Sequence, residues 1–218
     1  MSFWLGKNKK STTRLRNNPI SRPLFLSPPF IDASLVEGSF KKIVVLPKYV
    51  EEDEWLAVNV FEFFTYLNMF YGTVTDFCTA TNCPTMNAGP GVEAYTWTDQ
   101  NQRKTTKLPA PTYIDYVMTL VQNLVNDENV FPTKVGREFP KDFQQTVRSI
   151  FKQCFRVFAH IYYHHYEQIL HLREEKHFNS LFAHFMSFAK EFNLLPDKKE
   201  LVPLEELITY MESNGRIS

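Results

Sequence analysis

The chain has 218 residues, enough for one ordinary domain or two small ones, and its 44% hydrophobic and 15% aromatic content supports a substantial core. Its 24 basic and 24 acidic side chains cancel, which removes any overall pull toward nucleic acid or an anionic membrane. The balance is uneven, because residues 1–31 carry six basic side chains and no acid, leaving 18 basic against 24 acidic in the remainder. A basic arm therefore precedes an acidic body.

Three cysteines do not make a disulfide framework. The start, MSFWLGKNKK, lacks the apolar core of a signal peptide, and no apolar run approaches the roughly 18 residues of a membrane span. The expected location is the cytosol or nucleus.

Taken in order, residues 1–31 mix Ser, Thr, Asn, Arg and Pro, and they read as a flexible basic tail ahead of a single domain over 32–218. LVEGSFKKIVVL (35–46) suits a short helix followed by extended chain, closed by Pro47. Asp53 stands as a cap before Trp55, and the run to Tyr71 predicts a helix that stops at Gly72. Its apolar residues nearly encircle it, which predicts a helix in the middle of a bundle. Residues 72–111 break around Gly, Pro and Thr, with EAYTW and KTTKL flanking TDQNQR as a small β-hairpin. Pro111 fits a helix first turn, and a stripe from Ile114 to Val125 carries that helix to Asn126.

A loop with two prolines leads to Phe143–His171, whose apolar residues recur at steps of three and four and predict one long helix. A further helix spans about Glu174–Phe192, Pro196 ends it, and Pro203 opens a short last one. The fold class is all-α, a bundle of four main helices with short extra helices, one hairpin and an irregular insert.

Cys78 and Cys83 form a Cys-x4-Cys pair in a loop poor in apolar residues, and His160, His164 and His165 lie in or beside the buried stripe of the long helix. Two thiolates and two imidazoles fill a tetrahedral zinc shell, which would pin the loop to the helix. At about 100° per residue, His160 and His164 sit about 40° apart but His160 and His165 about 140°, so simple geometry favours His164. Four protein ligands leave no position for a reactive water, which makes such a site structural. Cys154 falls on the buried stripe as a small core residue, and His171, His177 and His184 carry no metal assignment.

No His-Glu-x-x-His, Gly-x-Ser-x-Gly or Gly-rich phosphate loop is present, and seven glycines leave few places to cradle a phosphate. No catalytic residue set emerges, and the chain reads as a non-enzyme.

LPKYVEEDEWLAVNVFEFF, NMFYGTVTDFCTATNCPTMNAGP, APTYIDYVM, NVFPTKVGREFPKDF, FRVFAHIYYHHY and HFNSLFAHFMSFAKEFNLL together resemble the Mob (phocein) family of kinase coactivators, over about residues 32–210. MSFWLGK, GSFKKIVVLP and FPTKVGREFP point to its second subclass, the partners of NDR-type kinases. The resemblance implies a Mob-type four-helix bundle with a zinc-stapled insert and no catalytic activity. It also implies binding to the N-terminal regulatory region of an NDR/LATS-type Ser/Thr kinase in cell polarity and morphogenesis signalling. Carried over by position, its zinc ligands fall on Cys78, Cys83, His160 and His165, so the fourth ligand stays open between His164 and His165. Its kinase-docking positions fall on Leu35, Gly38, Phe40, Ile43, Glu54, Trp55 and Met86. The location it implies is cytoplasmic, extending to the cell cortex, growth or division sites and the nucleus.

The first Mob subclass binds phosphothreonine peptides through a basic cluster, and the matching positions here are Lys152, Gln153 and Arg156. A glutamine in place of one cation weakens charge-assisted phosphate recognition. The rival readings are a first-subclass phosphopeptide adaptor in Hippo- or mitotic-exit-type signalling, and a zinc hydrolase with an open fourth position.

Overall fold

The computed structural model describes residues 22–98, 104–134 and 136–218. Its central element is α4 (Phe143–His164), where Phe143, Val147, Ile150, Phe151, Cys154, Phe155 and Phe158 form the expected buried stripe. Around it pack α2 (Glu52–Val74), α3 (Ala110–Asn126) and α6 (Glu175–Glu191). Among the described residues, the sole sheet is the two-stranded β1 (Thr96–Thr98) and β2 (Thr105–Lys107), antiparallel with Trp97 opposite Thr106. No helix there is long and apolar enough to cross a membrane.

The phenylalanines make a ring cluster where the helices cross. Phe151 stacks on Phe185 at 4.7 Å between centroids, and Phe63 of α2 meets Phe151, Phe185 and Phe188 edge-on. These are the arrangements the ring quadrupole favours, and burying each such ring contributes about 1.5–3 kcal/mol.

Local chemistry accounts for most helix limits. Glu52, Asp53 and Glu54 occupy the first turn of α2, where carboxylates oppose the positive helix end. The cap position is Glu51 and not the expected Asp53. Helix α2 also runs through Gly72 to Val74, since a glycine weakens a helix without ending one that is packed on both sides of it. Pro111 lies in the first turn of α3, where a missing N–H costs nothing.

Three further expectations change. Helix α2 is not buried all round: Leu56, Val60, Phe63, Leu67 and Tyr71 face the core, whereas Val58, Phe61, Tyr66 and Met69 are 51–62% exposed. The tail expected over 1–31 does not hold for residues 22–31, which carry two packed 3-10 turns and bury Phe25, Leu26 and Ile31. Proline there excludes helix without excluding packing, and Phe25 wedges against the rings of Tyr162, Tyr163 and Tyr166. Residues 1–21 of the expected tail lie outside the described residues. Finally, the helix expected over Phe143–His171 is two helices, α4 and α5 (Tyr166–His171), interrupted at His165. Among the described residues, the remaining α-helices are α1 (Lys41–Val44), α7 (Lys198–Leu201) and α8 (Glu205–Ser213).

Candidate metal centre and docking surface

The insert between α2 and α3 starts as a continuation of α2. The Cys78 amide donates to Val74 O at 2.9 Å, and the Cys83 amide donates to Thr79 O at 2.8 Å, so the two cysteines sit on successive turns facing α4. The Ala110 amide donates to Cys83 O and the Met86 amide to Leu108 O, which stitches the insert to the start of α3.

Four donors converge there. The sulfurs of Cys78 and Cys83 and one ring nitrogen each of His160 and His165 lie within 4.8 Å of one another, and all four residues are buried. Cys78 Sγ is 3.5 Å from His160 Nε2, and Cys83 Sγ is 3.5 Å from His165 Nε2. Zinc bonds of about 2.3 Å to sulfur and 2.0–2.1 Å to nitrogen at a tetrahedral angle put the S···N edge at about 3.6 Å. The donor spacing fits a tetrahedral ion.

His165 reaches this point because the backbone departs from helix there, with φ −133° and ψ 12°. On a straight helix it would point about 140° away from His160. His164, the choice that straight-helix geometry favours, is exposed and outside the group, although its ring centroid is 4.7 Å from that of His160.

The surroundings prepare the donors. His160 Nδ1–H donates to Asn87 O at 2.9 Å, which leaves Nε2 with its lone pair toward the sulfurs. The Tyr71 hydroxyl lies beside the Cys78 thiol, close enough for each to raise or lower the other's ionisation. Burial pushes the Cys78 thiol up to about 12, with Cys83 adding to it, and burial raises the Cys83 thiol too. Burial also holds His160 down to about 3 and His165 down to about 4. Without an ion, then, all four groups are neutral, whereas a dication with two thiolates is the neutral alternative. Tyr71 and Asn87 were missed from sequence, although Tyr71 stands two helical turns before Cys78 and so shares its face.

The docking positions divide. Leu35, Gly38, Ile43 and Glu54 are exposed, and Trp55 is half-buried with Nε1–H donating to Val44 O at 3.1 Å. Phe40 and Met86 are not surface residues, at 5% and 0% exposure. Phe40 stacks on the His184 ring at 5.0 Å, and Met86 fills the inside of the insert, where its backbone bonds Leu108 and Tyr95. Neither can touch a partner while the fold holds. What sequence reasoning did not find is a cleft of about 790 Å³ lined by Val50, Trp55, Val58, Phe61, Phe131 and Phe139, with Glu54 and Glu62 on its rim. Beside it lie Glu51, Glu52, Asp53 and Glu138.

Lys152, Gln153 and Arg156 come together on α4, lining a second cleft of about 570 Å³ with Thr96, Trp97 and Thr98 of β1. Arg156 is nevertheless engaged within the chain. Its Nε and Nη2 donate to the two oxygens of Glu200 on α7 at 2.9 and 2.5 Å, and Nη1 donates to the Tyr113 hydroxyl at 2.7 Å. Lys152 Nζ lies 3.1 Å from the same carboxylate. The Tyr113 hydroxyl in turn donates to Gln153 Oε1 at 2.7 Å.

The Mob1/phocein family profile matches residues 32–204. The chain is 50% identical over 213 residues to the maintenance of ploidy protein mob2 of Schizosaccharomyces pombe, covering 96% of this chain and 86% of that one. It is 54% identical over 194 residues to the CBK1 kinase activator protein MOB2 of Saccharomyces cerevisiae, covering 89% and 67%. It is 49% identical over 207 residues to the Candida albicans protein of the same description, covering 95% and 65%. Matched by that profile over most of its length and about half identical to these relatives, the chain belongs to the Mob1/phocein family.

Proposed function

We propose that the chain is a non-catalytic activating subunit of an NDR-type Ser/Thr kinase, acting in cell polarity and morphogenesis. The observation that carries this reading is the acid-rimmed apolar cleft on α2. Val58 and Phe61 are more than half exposed on a helix whose opposite face is core, which is unusual for a side that nothing covers. A groove of this kind accepts an amphipathic helix through anchors at i, i+3, i+4 and i+7, while carboxylates around it select a basic segment. The family resemblance implies a basic, helical regulatory segment in an NDR-type kinase, which would have that chemistry. Relatives named as kinase activators support the same partner class. Binding favours the active kinase by being tighter to that arrangement than to the inactive one.

The same reading places one structural Zn²⁺ among Cys78, Cys83, His160 and His165. The ion would supply neutral, four-point closure of the insert, and Asn87 and Tyr71 would orient its ligands. A phosphopeptide adaptor is the second reading, favoured by the gathering of Lys152 and Arg156 at one cleft.

The test is a reconstituted assay in which an NDR-type kinase is measured with and without this chain. Stimulation is expected from the wild type and its loss from Glu54→Lys. A Glu54→Lys protein that stimulates as well as wild type overturns the docking site.

A further inference from the structure

Each imidazole of the candidate centre has a second ring nitrogen, and the two are provided for differently. His160 Nδ1 has Asn87 O at 2.9 Å. His165 is 3% exposed and its Nδ1 is buried, yet among the described residues that atom has no hydrogen-bond partner. A histidine that gives Nε2 to an ion must carry its proton on Nδ1, and a buried N–H without an acceptor bears the full penalty of losing water. The unmet need falls on the histidine that the helix break brings in.

The residue placed to meet it stands one turn on. His165 is the cap position of α5 and Gln168 its third helical residue, the spacing at which a glutamine side chain reaches back to the cap residue. In the usual arrangement the glutamine oxygen takes the backbone N–H of the cap. Here that N–H is already given to Ile161 O at 2.8 Å. The side chain still leans toward the start of α5, as helical Cα–Cβ bonds do, and the Gln168 amide donates to His165 O at 3.1 Å, which holds the two residues on one turn. Gln168 also borders a cleft of about 310 Å³ with Thr73 and Phe77, so it faces the end of α2 from which the insert departs. Its Oε1 is buried and, like His165 Nδ1, without a partner among the described residues. A donor and an acceptor, both hidden from water and both unpaired, stand one helical turn apart.

We propose that Gln168 is a positioning residue for the metal centre, whose Oε1 accepts the Nδ1 proton of His165 and fixes Nε2 as the ligating atom. It touches neither ion nor sulfur. The contact is required once Nε2 ligates, since the proton is then confined to Nδ1. Asn87 Oδ1 is the other buried, unpaired acceptor beside the centre, on a residue whose backbone already serves His160. The inference rests on the zinc reading of these four residues, and the two fail separately. Wild type that holds no zinc ends both, whereas a zinc-loaded chain indifferent to the side chain at 168 ends this one alone.

The experiment measures zinc affinity by competition with a coloured chelator in wild type, Gln168→Met, Gln168→Glu and Asn87→Ala. Methionine keeps the length and removes the strong acceptor, and glutamate restores one. Losing the outer partner of a ligating histidine typically lowers affinity about tenfold to hundredfold, which is the loss expected of Gln168→Met. Gln168→Glu is expected to bind at least as tightly as wild type, and Asn87→Ala as wild type does. A second readout separates positioning from plain stability. In the zinc-loaded proteins the Nδ1–H proton of His165 should exchange slowly with water in wild type and Gln168→Glu, and fast in Gln168→Met of unchanged circular dichroism. Undiminished affinity in Gln168→Met overturns the proposal, as does affinity lost with the His165 proton still protected, or protection lost in Asn87→Ala instead. Should Gln168→Met not fold, wild type decides: a His165 Nδ1–H that exchanges as fast as a free imidazole, or zinc bound through Nδ1, overturns it.

Discussion

Cys83 and His165 meet across a break in the helical scaffold: Sγ and Nε2 are 3.5 Å apart, although His165 would face away from the insert on an unbroken helix. The break leaves α5 to restart at once, and the His165 amide still donates to Ile161 O at 2.8 Å. The chain gives up helical geometry at one residue and gains a second imidazole at the cysteine pair.

This relationship predicts which histidine matters. Elemental analysis of purified wild type is expected to give one zinc per chain, and His164→Ala to keep it. His165→Ala and Cys83→Ala should lose it and melt at least 10 °C lower, since a structural zinc site contributes on the order of the whole domain's stability. A His165→Ala protein with full zinc content would contradict the ligand set.

Gly89 tests how tightly the insert is seated. Its φ is 67°, and an added Cβ would lie 2.2 Å from the Tyr163 ring, which is itself fixed by a hydroxyl bond to Pro203 O at 2.9 Å. Gly89→Ala combines a left-handed backbone with overpacking, so a loss of about 2–4 kcal/mol in denaturant unfolding is expected. An unchanged midpoint would mean that the insert floats.

His184 should give the fold an acid-sensitive component. Its ring lies between Phe40 and Phe63, its Nε2 has no hydrogen-bond partner, and burial lowers it from 6.5 to about 4. Between those values the unfolded chain takes up a proton that the folded chain refuses, so the contribution is whole above about pH 6.5 and falls as pH drops toward 4. His184→Phe removes this component. Its melting temperature relative to wild type should therefore rise as pH goes from 7 to 4.5, and a constant difference would rule the ring out as the source.

Much of this architecture is legible in the residues. The period of α3, α4 and α6 marks their buried faces, and Pro111 and Asn126 mark the limits of one of them within a residue. The Cys-x4-Cys spacing marks the insert as the candidate place for a metal among these elements. Other features are invisible to spacing. Periodicity assumes straight helices, so it cannot anticipate a turn at His165 that satisfies a tertiary requirement. An apolar residue looks the same in sequence whether it faces a core, as Phe63 does, or open water, as Phe61 does. Phe40 and Met86 show the converse, being buried by contacts from remote parts of the chain. The Arg156–Glu200 pair spans 44 residues and two elements, and no local pattern announces it.

Phe61 separates docking from stability. Because it is 51% exposed, Phe61→Ser should leave the melting temperature within about 2 °C of wild type, as surface changes usually do. An anchor in a groove costs about 2 kcal/mol or more when truncated, which is a loss of about thirtyfold in affinity for the kinase segment. Unfolding of the variant would instead place this ring in the core.

The most direct measurement is calorimetric titration of the zinc-loaded protein with the basic N-terminal regulatory segment of an NDR-type kinase. Saturable one-to-one binding is expected, weakened at least tenfold by Glu54→Lys and progressively by added salt. No heat and no binding at micromolar concentrations, with the protein folded and its zinc in place, would contradict the account.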